Sequence, residues 1–507
     1  MPNLSLPVTS PAKRLDHDRC YRALCAKDNR FDGDFFVGVK TTGIYCRPVC
    51  RVKTPRSSSC TFFPNASAAE AAGFRPCLRC RPELAPYAIQ QNLAGAIWQR
   101  ISAGALNGGA TMQHLAQQVG LSARQLQRLM QFHFGVSPIE LAQTARLLFA
   151  KKLLQETHLP MTEVAYAAGF GSVRRFNALF LSQYGMAPGM LRRSTTPPAG
   201  SNLITLRLAY RPPFAWDAML DYLSSRTIAG VEAVEGRSGH RFYVRSVRIL
   251  HDQADLQGWL RIRHLDAEQQ LEVQLSNQFS PVLMTIVDKV RQQFDLDANP
   301  GMIEAHLAHL PVLKKQIKRT PGLRVPGTFE PFELALRAVL GQQISVAAAT
   351  TLAARLVQHY GTPLPDPLTG ITHHFPTPAV LLQASVDDIA RIGLPPARAA
   401  TLLAVTQFAA DGGLDFAPGT PLDQAVSRLK TVRGVGEWTA HYIALRALRF
   451  PDAFPGGDLG LQKAAAKPSE GRLSEAQLLT RIAPCSPWRG YAALLLWQSL
   501  HRESGST

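Results

Sequence analysis

Four cysteines in two close pairs constrain this chain more than any other feature. Cys46 and Cys50 form a C-x3-C in TTGIYCRPVCR, and Cys77 and Cys80 form a C-x2-C in GFRPCLRCRPE. Two such pairs, brought together by folding, put four thiolates at the corners of a tetrahedron, the arrangement a structural Zn2+ prefers. One Zn2+ held by Cys46, Cys50, Cys77 and Cys80 is therefore expected. Two disulfides, or four ordinary thiols, are the other readings of the same spacing. Cys20, Cys25, Cys60 and Cys485 show no comparable spacing and read as structural or incidental.

A metal site so near the start of a basic chain points toward nucleic acid. The formal charge is +18 and it is unevenly placed. Residues 1–200 hold 24 Lys and Arg against 10 Asp and Glu, whereas the rest of the chain holds 31 against 27. Concentrated positive charge of this kind is the footprint of phosphate binding; a generally basic soluble protein is the blander reading. A length of 507 residues accommodates three or four domains. No apolar run approaches the roughly 18 residues of a membrane span, and MPNLSLPVTSPAKR has no apolar core of signal-peptide length. The expectation is a cytoplasmic, nucleoid-associated protein with no membrane partner.

Three breaks divide the chain: RPELAPYA at 81–88, the turn-rich RRSTTPPAGSN at 192–202, and a softer one near Asn299 and Pro300. Between the first two lie a pair of similar helical units, TMQHLAQQVGLSARQLQRLMQFHFG and MTEVAYAAGFGSVRRFNALFLSQYG. Each reads as a helix, a tight turn and a second helix, with Ser122 and Ser172 as N-caps. LAQTARLLFAKKLLQ supplies a connecting helix. A helix-turn-helix lays the start of its second helix in the major groove. Arg124, Gln125 and Arg128 stand there in the first unit, and Val173, Arg174, Arg175 and Asn177 in the second. Arg, Asn and Gln read base edges or hold phosphates; a plain helical bundle with a solvated basic face is the alternative. After residue 203, ITLRLAY, HRFYVRSVRI, GWLRIRHL and QLEVQLS alternate as strands, with FAWDAMLDYLSSR and SPVLMTIVDKVRQQF as helices packed on them. Beyond about residue 300 the pattern predicts helices to the end.

The segment around DGDFFVGVKTTGIYCRPVCR and FFPNASAAEAAGFRPCLRCRPE resembles the N-terminal domain of the bacterial Ada adaptive-response proteins. That resemblance makes Cys46 the zinc-bound acceptor of a methyl group from a DNA methylphosphotriester. Arg47, Arg51, Arg75, Arg79 and Arg81 surround the cysteines and are expected to hold phosphates. The following segment, with GFGSVRRF and YGMAPGMLR, resembles the AraC-type double helix-turn-helix. The Ada active-site motif PCHR is missing, so no O6-methylguanine transfer is expected. Residues 203–503 resemble AlkA-type 3-methyladenine DNA glycosylase II through LAYRPPFAWDAMLDYLSSRTIAGVE, VLGQQIS, LKTVRGVGEWTAHYIALRAL and PWRGYAALLLW. The implied fold is multidomain: an α+β zinc domain at 12–85, an all-α double helix-turn-helix at 86–193, an α+β TBP-like subdomain at 203–298 and an all-α helix-hairpin-helix glycosylase body at 299–503.

VRGVGEW places Gly434 and Gly436 in a turn between helices, where exposed N–H groups can grip phosphate. The resemblance adds a monovalent cation on the hairpin carbonyls of Lys430, Val432 and Val435. It also makes Asp458, in FPGGDLGLQK, the catalytic carboxylate; taken alone, such an Asp reads more readily as a helix N-cap. GGDLGL replaces a bulkier family segment, which leaves the support of that carboxylate open. Trp438 occupies the position of the Schiff-base lysine of related lyases, which implies a monofunctional glycosylase. Trp438, Tyr442 and Trp497 would form an aromatic base pocket, their separate reading being core residues. Gln342 and Gln343 would fill the space left by a flipped base. The partners implied are damaged and promoter DNA, with RNA polymerase added by the regulatory reading. The rivals are a transcriptional regulator whose glycosylase-like body is silent, and a glycosylase merely tethered to DNA by its N-terminal half.

Overall fold

The computed structural model describes residues 15–85, 93–192 and 203–503, apart from Ser238, Asp252, Pro418 and Pro468. Most of the expected linker at 192–202, the end of the break at 81–88, and residues 12–14 and 86–92 lie outside the described residues. The chain forms two compact units, one carrying the cysteine pairs and the helix-turn-helix segments, the other the C-terminal segments.

In the first unit, strands β1 (Phe36–Val39), β2 (Ile44–Cys46), β3 (Cys60–Phe63) and β4 (Arg75–Pro76) form one sheet in the order β3-β1-β2-β4. β2 and β4 run parallel, with Ile44 opposite Arg75. Their C-terminal ends therefore meet at one edge, and each end opens into a cysteine pair. Helices His17–Ala26 and Ala66–Ala71, capped by Asp16 and Asn65, complete this α+β module. The helix-turn-helix pairs are Met112–Gln118 with Ala123–Phe134, and Met161–Ala167 with Val173–Tyr184, joined by Pro138–Glu156. Ser122 and Ser172 are N-caps, each accepting a backbone N–H three residues on. Gly135 and Gly185 end the two recognition helices at φ 74° and 68°, a conformation that a side chain disfavours.

Buried polar links tie the cysteine module to the helices. The Asn65 amide donates to the Phe134 carbonyl at the end of the first recognition helix (3.2 Å). Tyr45, beside Cys46, donates to Glu70 (2.9 Å), and Thr144 of the connecting helix donates to the other carboxylate oxygen (2.6 Å). Burial outweighs these two bonds and pushes the Glu70 carboxyl up to about 7. Lys151 is wholly buried; its ammonium donates to the Cys77 carbonyl (3.2 Å) and to Glu83 (2.6 Å). Arg81 joins Glu83 to Glu156 at 3.0 and 2.7 Å.

In the second unit, β5 (Leu203–Ala209), β6 (Glu232–Glu235), β7 (Phe242–His251), β8 (Ala254–Leu265) and β9 (Gln270–Ser276) form an antiparallel sheet in the order β5-β9-β8-β7-β6. Helices Trp216–Ser224 and Leu283–Gln293 accompany it. Asn299 caps helix Pro300–Leu307, so the soft sequence break falls at a helix start. The helical body beyond closes over a core including Leu336, Val339, Leu402, Ile443, Leu461 and Leu496.

One expectation fails. The region after 300 is not helical throughout: β10 (Thr362–Leu368) and β11 (Ile371–His374) form a hairpin. Pro363, Pro365 and Pro367 lack the N–H a helix needs, and Gly370 turns the chain at φ 80°. Leu364 and Ile371 of the hairpin pack with Val244 and Trp259 of the sheet. The short strand β6 also escaped the sequence reading, its four residues being too few for alternation to register.

Replacing Lys151 by Met strands a buried Glu83 with only Arg81. A loss of about 3–5 kcal/mol in unfolding free energy is expected for breaking such a pair, measured by urea titration of the zinc-loaded protein.

Candidate metal centre and active site

The parallel β2 and β4 carry the metal centre. The Cys77 N–H donates to the Tyr45 carbonyl at 2.9 Å, which extends the β2–β4 pairing to the first cysteine of the second pair. The four Sγ atoms of Cys46, Cys50, Cys77 and Cys80 all lie within 4.8 Å of one another, and none is disulfide-bonded. Backbone N–H groups of Arg47 and Cys80 point at the Cys80 and Cys77 sulfurs (3.4 and 3.5 Å). The Cys46 thiol is pushed far up, first by sharing hydrogen bonds with Cys50, Cys77 and Cys80 and then by burial. The Cys77 thiol is driven far down by bonds from the same neighbours, and that of Cys50 falls to about 7, led by its bond with Cys46. Four sulfurs so crowded cannot all ionise alone, and a soft divalent cation answers that donor set.

The surrounding arginines divide into two groups. Arg51, Arg75 and Arg79 are exposed, as phosphate contacts require. Arg47 and Arg81 are not free for phosphate, contrary to the sequence expectation. Arg47 is half-buried against Asp32 (2.9 Å) and the Cys80 carbonyl (3.2 Å), and Arg81 is spent on Glu83 and Glu156. Their acidic partners are distant in sequence or in an unremarkable context, so the pairing was not readable from the motif.

On the recognition helices, Leu126, Met130, Phe134, Phe176, Phe180 and Tyr184 face the core. Arg124, Arg128, Arg174, Arg175 and Asn177 stand exposed on the opposite side, while Val173 is half-buried. Gln125 differs: its side-chain oxygen accepts the Ser122 N–H (2.8 Å) and closes a capping box. Its first task is to start the helix.

In the second unit, Gly434 sits at φ 88°, and a Cβ there would fall 2.0 Å from Thr401 Oγ1. Gly436 caps helix Glu437–Arg446 without a side chain, and a Cβ at that position would meet open space. The hairpin is braced by Gln342, whose amide donates to the Gly434 carbonyl (3.0 Å) and to Thr439 Oγ1 (3.1 Å). Gln343 next to it is exposed at φ 58°. Of the two glutamines expected in the vacated base position, Gln343 has the exposed side chain. Among the expected cation ligands, the Val432 carbonyl accepts the Val435 N–H at 3.0 Å.

Asp458 is half-buried and caps helix Leu459–Ala464 through the Leu461 N–H (2.9 Å). The cap reading is met. Trp497 Nε1 donates to the same oxygen at 3.1 Å, and Trp438 Nε1 donates to the other oxygen at 3.1 Å. Tyr442 stacks on Trp438 at 5.2 Å between centroids and meets Trp497 edge-on at 6.4 Å. The open support of Asp458 is thus supplied by indoles, and the small Gly460 leaves room for the carboxylate itself: a Cβ there would lie 3.0 Å from Asp458 Oδ1 and from Leu500. Two residues escaped the sequence reading. Arg446 donates to the hydroxyls of Tyr442 (2.8 Å) and Tyr222 (2.6 Å), and these hydroxyls lie 3.3 Å apart. An arginine inside the apolar run IALRAL was the available signal for a buried polar partner.

Family comparisons match four segments of the chain. Residues 19–83 match the metal binding domain of Ada, 115–194 a helix-turn-helix domain, 205–330 the AlkA N-terminal domain, and 336–468 the HhH-GPD superfamily base excision DNA repair protein. Over 96% of its length the chain is 37% identical to the "Probable bifunctional transcriptional activator/DNA repair enzyme AlkA" of Mycobacterium tuberculosis, covering 97% of that protein. The chain belongs to this bifunctional family. It is also 32% identical over 57% of its length to DNA-3-methyladenine glycosylase 2 of Escherichia coli K12, covering 95% of that enzyme. The bifunctional transcriptional activator/DNA repair enzyme Ada of the same organism is 39% identical over 24% of this chain, which covers 34% of that protein. This family member therefore joins an Ada-type zinc module and a helix-turn-helix regulator to a DNA-repair glycosylase, and its four clustered cysteines hold one Zn2+. DNA is its partner, and among the described residues no helix is long and apolar enough to cross a membrane.

Gly434→Ala combines a positive φ with a clash against the Thr401 side chain. It is expected to lower stability by about 1–3 kcal/mol and to weaken binding to undamaged duplex, read by thermal unfolding and by fluorescence anisotropy.

Proposed function

We propose that Asp458 drives hydrolytic excision of 3-methyladenine and related alkylated bases, and that Cys46 takes methyl groups from DNA phosphotriesters. The observation that carries the first half is the setting of Asp458. Among the described residues it pairs with no Lys or Arg; its three donors are neutral N–H groups. Its negative charge is therefore not cancelled. As the C1′–N bond breaks, the base leaves with the bonding electrons and positive charge grows on the deoxyribose. The carboxylate stabilises that charge electrostatically. Water then adds to C1′, its proton is released to solvent, and an abasic site remains. Trp438 and Trp497 fix the carboxylate, while the rings of Trp438 and Tyr442 offer stacking faces to an electron-poor purine flipped from the duplex. Gln343 is the residue placed to fill the gap. The hairpin N–H groups after Gly434 and Gly436 would hold the backbone phosphate. With Trp438 where a lyase carries its lysine, no Schiff base forms and the strand is left uncut.

In the zinc module, a Zn2+ held by Cys46, Cys50, Cys77 and Cys80 would keep their sulfurs as thiolates at neutral pH. The Cys46 sulfur attacks the methyl carbon; the S–C bond forms, the C–O bond breaks, and the phosphodiester leaves as an anion. The cluster loses one negative charge, so repulsion from DNA falls. Arg51, Arg75 and Arg79 are the exposed cations beside it. Arg124, Arg128, Arg174, Arg175 and Asn177 would then read promoter DNA, and RNA polymerase is the partner an activator so bound would meet.

Asp458→Asn is expected to slow release of bases from methylated duplex by about a hundredfold or more, with unchanged thermal stability within the loss of one cap; full release by the variant would contradict the role. After incubation with methylphosphotriester DNA, peptide mass spectrometry should find one methyl group on Cys46. A methyl on Cys80, which is less buried, would move the acceptor role there.

A further inference from the structure

Resting on the promoter-reading role proposed above, we infer that Leu181 is a specificity residue of the second recognition helix: its exposed side chain reads the 5-methyl group of a thymine in the major groove.

The two recognition helices align at an offset of 50 residues, Ser122 matching Ser172 as N-cap and Gly135 matching Gly185 as C-cap. Leu126, Met130 and Phe134 of the first turn inward at the same positions as Phe176, Phe180 and Tyr184 of the second. With the core faces matched, the outward faces compare slot by slot. Arg124, Gln127 and Arg128 correspond to Arg174, Asn177 and Ala178, and all six are exposed. One turn further on, Gln131 corresponds to Leu181. Gln131 turns back on its own helix, where its amide donates to the Gly135 carbonyl at 2.9 Å. A leucine cannot make that bond, and Leu181 stands 54% exposed.

A single exposed leucine is ordinary on most protein surfaces. The stripe that holds this one sets it apart. Residues three and four apart on a helix lie on one side, so Arg174, Asn177 and Leu181 share a face. Leu181 therefore meets whatever Arg174 and Asn177 meet. In the major groove, base edges present donors, acceptors and, at thymine alone, a methyl group. Leucine against that methyl removes apolar surface from water on both sides. Against the amino group of cytosine it would strip a donor of water and return nothing. Ala178, in the slot of Arg128, keeps a long cation out of the neighbouring position.

The two helices are thus tuned to different bases. Arg124 and Arg128 suit guanine, whereas Asn177 suits adenine and Leu181 suits thymine. A pair so unequal reads an asymmetric site, and the asymmetry fixes which way round the protein lies on it.

The test uses the full zinc-loaded chain, untreated and after exposure to methylphosphotriester DNA. A preferred duplex is selected from a random library. Each thymine in it is then replaced singly by deoxyuridine, which removes the methyl group and keeps the base pair, and affinity is read by fluorescence anisotropy. At one thymine the wild type should lose about fourfold in affinity, the factor for burying one methyl-sized group. Leu181→Ala should bind the unaltered duplex more weakly, and the same replacement should leave its affinity unchanged. Thermal unfolding of the variant should match that of wild type, because the side chain lies outside the core. No loss by the wild type at any thymine would overturn the inference, as would an equal loss in Leu181→Ala. Full affinity of Leu181→Ala for the unaltered duplex would also overturn it and leave Leu181 to a protein partner. In all three cases the promoter reading stands. Failure of any preferred duplex to emerge would overturn the promoter reading, and this inference with it.

Discussion

An aspartate held by neutral donors is the constraint on which the C-terminal unit turns. Asp297 and Asp452 in the same unit are locked onto Arg291 and Arg489 and spend their charge on stability. Asp458 instead rests on two indole N–H groups and one backbone N–H. Under the proposed mechanism, a carboxylate positioned this way would keep its field for a cation that exists only while a glycosidic bond is breaking. Much of the local sequence serves that arrangement. Gly460 makes room for the Asp458 carboxylate beside Leu500, Gly434 allows the hairpin to approach Thr401, and Gln342 pins the hairpin to the helix bearing Trp438.

The N-terminal unit solves the opposite problem, an excess of like charge. Two parallel strands deliver four sulfurs to one point, and zinc makes that concentration tolerable. The nearest basic residues are then divided between structure and surface. Arg47, Arg81 and Lys151 neutralise buried acids, while Arg51, Arg75 and Arg79 remain exposed. The links through Asn65, Tyr45, Glu70, Thr144 and Lys151 tie the cysteine module to helix Ala123–Phe134 and to the connecting helix Pro138–Glu156.

Much of this was legible from residues alone, because the features concerned are local. Cysteine spacing fixes a metal ligand set, Ser122 and Ser172 mark helix starts, and alternation marks β5, β7, β8 and β9. The aromatic set and Asp458 were legible through a long motif; their hydrogen bonds to one another were not, since 20 and 39 residues separate the acid from its two indoles. Tertiary partnership also hid the capture of Arg47 and Arg81, the capping task of Gln125, the bracing task of Gln342 and the whole Tyr222–Arg446 contact. The hairpin at 362–374 was missed for a different reason. Its three prolines were visible, but a proline-rich stretch between helices reads as a loop until a sheet elsewhere supplies the apolar face it covers.

The most direct test of the central claim is binding to a duplex carrying a cationic pyrrolidine in place of one deoxyribose, compared with a neutral tetrahydrofuran at the same position. If the charge of Asp458 is reserved for a sugar becoming positive, the wild-type protein should bind the pyrrolidine duplex at least a hundredfold more tightly, about 2.7 kcal/mol, and Asp458→Asn should lose that preference. Equal affinity of the wild type for the two duplexes, or a preference that survives the substitution, would contradict the account.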